Sequence, residues 1–115
     1  MKFYTHNDKD IQRDGGCYQG LIACSYRLLV KLFGEPMKDG FDNYKCDAEW
    51  TVEFEDGAVM CIYNWKNGAN YCGKMGIPTQ EIDEWHIGGQ SREVVSRVSQ
   101  ILAGSTSASH MASST

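Results

Sequence analysis

The chain has 115 residues and a net charge of −4, and 42% of its residues are hydrophobic. That length allows one domain with a modest core, and the acidic balance excludes a general nucleic-acid binder that relies on phosphate attraction. No apolar run approaches the roughly 18 residues of a membrane span, and the N-terminal MKFYTHNDKD lacks the apolar centre of a signal peptide.

Residues 1–16 are polar and end in Asp14-Gly15-Gly16. Phe3 and Tyr4 can supply a short edge strand, and His6 reads as an exposed loop histidine among charges. From about residue 18 to residue 33 the pattern is helical: Leu21, Cys24, Leu28 and Leu32 recur at helical spacing, and Ile22, Leu29 and Phe33 widen the stripe. Gly34 and Pro36 then form a C-terminal stop. The connection EPMKDGFDNYKC carries a turn signal at Asp39-Gly40, with Phe41 and Tyr44 available to tuck against the core.

The strongest element is a β-hairpin over residues 48–65, AEWTVEFEDGAVMCIYNW. Asp56-Gly57 suits a two-residue turn. Closure there pairs Phe54 with Val59, Val52 with Cys61, Trp50 with Tyr63 and Ala48 with Trp65, all on one apolar face. The same register puts Met60 and Ile62 among Glu49, Glu53 and Glu55 on the opposite face. Residues 66–84 follow as a long loop rich in glycine and proline, the kind that is often functional. A third strand is expected near 84–88, with Trp85 and Ile87 facing the core and His86 facing away. A second helix follows over about 91–103, capped by Ser91 and ended by Gly104.

The tail, residues 105–115, is serine-rich and low in complexity, and Ser-His-Met-Ala-Ser resembles a cloning-site scar. Residues 1–104 therefore read as a single α+β domain and the tail as disordered, His110 included. The domain is expected to be a small antiparallel sheet with both helices packed on one face. The outer face, with Met60 and Ile62 exposed, is a candidate homodimer or partner surface. Five cysteines, an odd count with no CxxC, imply reduced thiols in a cytoplasmic protein with no metal site and no cofactor.

Four features carry chemistry. Gly68, Gly73 and Gly76 match neither phosphate-loop spacing. Gly88-Gly89-Gln90-Ser91, with Arg92 after it, presents backbone N–H groups at a helix start, which suit an anion, although such glycines also serve any tight strand-to-helix turn. His86 could act as a base beside a hairpin carboxylate, or form a cross-strand surface pair. The segment from Asn64 to Lys74 gathers Asn64, Trp65, Lys66, Asn67, Asn70 and Tyr71. Those side chains can stack on a nucleotide, form a protein-binding hot spot, or cover the open end of the hairpin. The candidate ligand- or partner-binding residues are Asn64, Lys66, Asn70, Tyr71, His86, Ser91 and Arg92.

Three motifs, LFGEP, AEWTVEFEDGAVMCIYNWKNG and EWHIGG, carry a resemblance that spans about residues 28–102. The matching positions include Phe33, Gly34 and Pro36; Trp50, Val52, Phe54, Asp56 and Gly57; Tyr63, Asn64, Trp65 and Lys66; and Trp85, His86, Ile87, Gly88 and Gly89. In this pattern the chain resembles a group of small bacteriophage-encoded proteins. The resemblance implies a non-enzymatic accessory protein that counters a bacterial defence system, such as CRISPR-Cas, by binding a host defence protein in the host cytosol. The alternatives are a sponge for a small nucleotide immune signal and a small enzyme using His86 and a carboxylate.

Overall fold

A computed structural model describes residues 2–6, 17–37 and 46–114, with side chains as far as Gly104. The turn at Asp39-Gly40, Phe41, Tyr44, Asp14-Gly15-Gly16 and the side chain of His110 lie outside the described residues. The fold is α+β. Strands β1 (Phe3–Thr5), β2 (Cys17–Ala23), β3 (Glu49–Phe54), β4 (Val59–Tyr63) and β5 (Glu84–Gly89) form one antiparallel sheet in the order β1-β3-β4-β5-β2. Helices α1 (Tyr26–Phe33) and α3 (Glu93–Ser114) pack on one face of it, and the short α2 (Ala69–Cys72) lies in the loop between β4 and β5.

The core is the α-covered face. Trp50, Val52 and Phe54 from β3 and Trp85 and Ile87 from β5 are fully buried there with Leu29, Phe33, Val94 and Val98 from the helices. Trp50 and Trp85 meet edge to face with centroids 5.3 Å apart, a geometry worth about 1 kcal/mol beyond area burial. Each indole N–H donates to a backbone carbonyl, Trp50 to Gly34 and Trp85 to Cys24, so neither leaves a polar atom stranded.

The hairpin closes in a different register from the expected one. Phe54 N–H donates to Ala58 O and Gly57 N–H donates to Phe54 O, so the loop has three residues, Glu55-Asp56-Gly57. Only Gly57 takes positive φ, at 91°, as in a turn followed by a left-handed glycine. Trp50 therefore faces Ile62 and Val52 faces Met60. A one-residue slip moves the whole of β4 to the other face. Met60, Ile62 and Asn64 go into the core, while Val59, Cys61 and Tyr63 go to the outer face. The observed register is favoured because it buries methionine and isoleucine and leaves the tyrosine ring at the surface. Met60 and Ile62 are thus not part of an exposed outer face.

The expected helix over 18–33 divides into β2 and α1. Ser25 caps α1, accepting from Leu28 N–H at 3.1 Å. Upstream of that cap the chain pairs with β5, Ile22 against Trp85 and Leu21 against His86. Tertiary pairing overrides the helical spacing there, and Leu21 is left 45% exposed. Gly104 does not end α3; a lone glycine costs about 1 kcal/mol in a helix and no proline follows it. His6 is half-buried rather than loose. Its N–H donates to Thr51 O, and its Nε2 lies 3.0 Å from Glu53 Oε1.

The hairpin turn is clamped to α3. The Arg97 guanidinium donates to both Asp56 carboxylate oxygens, at 2.9 and 2.6 Å, and sits over the Phe54 ring. Its hydrogen bonds hold the Asp56 carboxyl down at about 2. A depressed carboxylate contributes stability that is present above the ordinary range near about 4 and lost as pH falls through the folded value. Thermal melts of Asp56→Asn should therefore be flatter than wild type across about pH 4 to 2, and less stable at neutral pH.

Candidate functional site

Asn64, at the end of β4, is completely buried. Its Oδ1 accepts from Asp47 N–H at 2.6 Å and Ala48 N–H at 3.1 Å. Its Nδ2 donates to Asp47 Oδ1 and Asn67 Oδ1. The second oxygen of Asp47 accepts from Asn70 N–H, and Asn70 Nδ2 donates to Cys46 O. A buried amide with all its bonds made inside the protein is a structural fastener, since each such bond would be costly to leave unmade. Asn64 therefore holds the loop to the base of β3 from inside, and Asn70, an exposed residue, ties the loop to Cys46 through its Nδ2 alone.

Glycine completes this fastening. A Cβ at Gly68 would overlap Asp47 Oδ1, and one at Gly76 would overlap the Gly68 backbone. These glycines allow the parallel bridge between Gly68 and Ile77, with Ile77 N–H donating to Asn67 O. Their role is close backbone approach, not a phosphate cradle. The Cys72 thiol donates to Lys66 O and so belongs to the loop as well.

Fixing the loop from inside leaves its aromatic and apolar side chains outside. Lys66 has a left-handed backbone, φ 59°, uncommon for a residue with a side chain. Its ammonium lies 5.7 Å from the Trp65 ring centroid and 5.4 Å from that of Tyr71. Both rings are exposed, Trp65 by 37% and Tyr71 by 41%. In the following turns Met75 is 91% exposed, and Ile77 is exposed too. A rigid, lysine-bridged pair of aromatics beside a protruding methionine has the composition of an interface centre.

The outer face of the sheet continues the aromatic surface. Tyr63 packs against Trp65 and stacks on His86 at 5.5 Å, and Tyr18 lies 5.2 Å beyond His86. His86 thus sits in a row of rings, and the carboxylate that acts on it is Glu84, two residues along the same face of β5, rather than one from the hairpin. Tyr63 stands between it and Glu49, and Glu53 is engaged by His6. The buried Nδ1 of His86 has no hydrogen-bond partner among the described residues. Burial lowers the imidazole pKa, with Glu84 opposing the shift. The unfolded chain binds this proton more readily, so the stabilising contribution is complete above about pH 6.5 and declines as pH falls below it. His86→Phe keeps a ring in the row and should remove that part of the decline in melting temperature as pH falls below about 6.5.

The predicted residues divide into three groups. Lys66 and Tyr71 share the exposed patch, Asn64 is buried at its base, and Asn70 is exposed beside Tyr71 in α2 with its Nδ2 bonded to Cys46 O. His86 is a strand away, opposite Tyr63. Ser91 and Arg92 sit past the other end of β5, where Gly89 pairs with Met60. Ser91 acts as a cap, its Oγ accepting from Glu93 N–H at 3.3 Å. Sequence reasoning missed Asp47, which organises the loop, and Met75 and Ile77, apolar residues in a segment with no periodic element to bury them. It also missed Tyr18 and Tyr63, because their face depends on register. Burial pushes the Cys24 thiol up to about 11, which removes it as a nucleophile near neutral pH. Among the described residues no group of three or more His, Cys, Asp or Glu is placed to hold a metal ion. No helix among them is long and apolar enough to cross a membrane. No protein-family model, curated protein or solved structure matches the chain.

Proposed function

We propose that the protein is a non-enzymatic bacteriophage accessory protein that inhibits a bacterial defence system, such as CRISPR-Cas, by binding one of its protein components in the host cytosol. The observation that carries this is the division of labour in the loop after β4. Of the amides suited to reading a nucleotide, Asn64 is wholly buried and bonded inward, and the exposed Asn70 spends its Nδ2 on Cys46 O. The groups turned outward are Trp65, Lys66, Tyr71, Met75 and Ile77. Tryptophan, tyrosine and methionine are enriched where proteins bind proteins. The sequence resemblance supplies the biological setting, and the fastened loop supplies the rigidity that lowers the entropic cost of binding.

The test is co-purification. Tagged protein expressed in bacteria that carry an active defence system should bring down one component of that system in a defined ratio. Trp65→Ala/Tyr71→Ala should lose that component while still folding and melting cooperatively. Capture by the double variant at wild-type yield, or nucleotide binding without any protein partner, would overturn the proposal.

A further inference from the structure

The sheet has two ends, and they differ. At one end β1 has three residues and pairs with β3 beside Glu53, with Lys2 at its start. At the other end β2 has seven residues, CYQGLIA, with no charge and no proline. Among the described residues it pairs with β5 alone. Alternate residues of β2 therefore aim N–H and C=O groups away from the sheet, a template that only another extended chain matches. The usual protections of an edge are a lysine, a proline, a short strand or a bulge. Of these β2 has only a bulge at Gln19, whose side chain folds inward and donates to Gly89 O. Gly20–Ala23 remains regular.

We propose that β2 is a self-association edge, and that its occupant is β2 of a second copy of this chain, paired antiparallel about a two-fold axis. Two copies with a net charge of −4 each repel one another over most of their surfaces. The outer sheet face presents the exposed Glu84 and the partly exposed Glu53, so face-to-face pairing would bring carboxylates together. The β2 edge is uncharged over its whole length, so two copies meet there without a like-charge pair. Keeping like faces together restricts the axis to a residue position. Leu21 is the one that gains, because it is 45% exposed while Ile22 is already buried. With the axis at Leu21, the two Leu21 side chains meet on the outer face. Gly20, which has no side chain, faces Ile22 of the second copy. The five strands then continue as one sheet of ten. This pairing is independent of the patch at Trp65 and Tyr71, which lies beyond the end of β4.

A four-residue edge buries little area, so the expected dimer is weak, with a dissociation constant on the order of 10–100 µM. Sedimentation velocity from about 1 µM to about 1 mM should show a monomer–dimer transition for the full chain. Leu21→Lys, a substitution at an exposed site, should weaken it at least about tenfold by opposing two ammonium groups across the axis. Amide hydrogen exchange on wild type covers the case in which that variant does not fold: protection within Gly20–Ala23 should rise with protein concentration. The proposal is overturned by a monomer at the highest concentration, by a dimer that Leu21→Lys leaves intact, or by β2 exchange independent of concentration. It is equally overturned if the edge captures an extended segment of another protein while the chain itself stays monomeric.

Discussion

Asn64→Ala should lower the free energy of unfolding by about 3 kcal/mol, a large part of the roughly 5–15 kcal/mol that a domain of this size commands. The truncation removes the acceptor for Asp47 N–H and Ala48 N–H and the donor to Asp47 Oδ1 and Asn67 Oδ1. The Ala48 N–H lies too deep for water to replace the amide, so its desolvation is left uncompensated, while Asp47 and Asn67 are partly exposed. Asn64→Asp separates hydrogen bonding from shape. It puts a carboxylate 2.9 Å from that of Asp47, a like-charge contact that raises the pKa of one of the pair. A raised folded-state pKa gives stability at low pH that is lost as pH rises. Urea unfolding should therefore find Asn64→Asp less stable than Asn64→Ala at neutral pH, with the gap narrowing on acidification. A ligand-reading asparagine would show neither effect.

Trp65→Ala and Tyr71→Ala should each weaken partner binding by about 30-fold or more, equivalent to about 2 kcal/mol. Both rings are partly exposed, and Trp65 also packs on Tyr63, so its truncation lowers the melting temperature as well as the affinity. The two rings flank the Lys66 ammonium, so either truncation also releases the cation from its position. Lys66→Met, which keeps the stem between the rings but removes the charge, should have a smaller effect. Titration calorimetry against the purified partner measures all three, and cooperative melting of each variant above the assay temperature separates lost contact from lost fold.

Much of the fold could be read from the chain because alternation is unambiguous where both neighbours agree. Trp50, Val52 and Phe54, and Trp85 and Ile87, occupy the core face as their spacing implies. The register of β4 was not readable. Asp56-Gly57 serves a two-residue turn and a three-residue loop alike, and only the packing of Met60 and Ile62 under the helices decides between them. The β2 strand was hidden by coincidence: helical spacing runs across Leu21, Cys24 and Leu28, although Ser25 is a good cap in the middle of it. In the site, the aromatic members could be recognised by type. The role of Asn64 and Asn70 was not, because it depends on Asp47 and Cys46 approaching from 17 and 24 residues away. Without that contact an asparagine in a polar loop looks like a ligand contact.

The most direct test is the plating efficiency of a sensitive phage on cells that carry the targeted defence system and express either this protein or its Trp65→Ala/Tyr71→Ala variant at equal level. Wild type should restore plating to that of cells without the system, and the double variant should leave the system fully active. Restoration by the double variant, or none by wild type against any system in a panel, would contradict an inhibitor that acts through this patch.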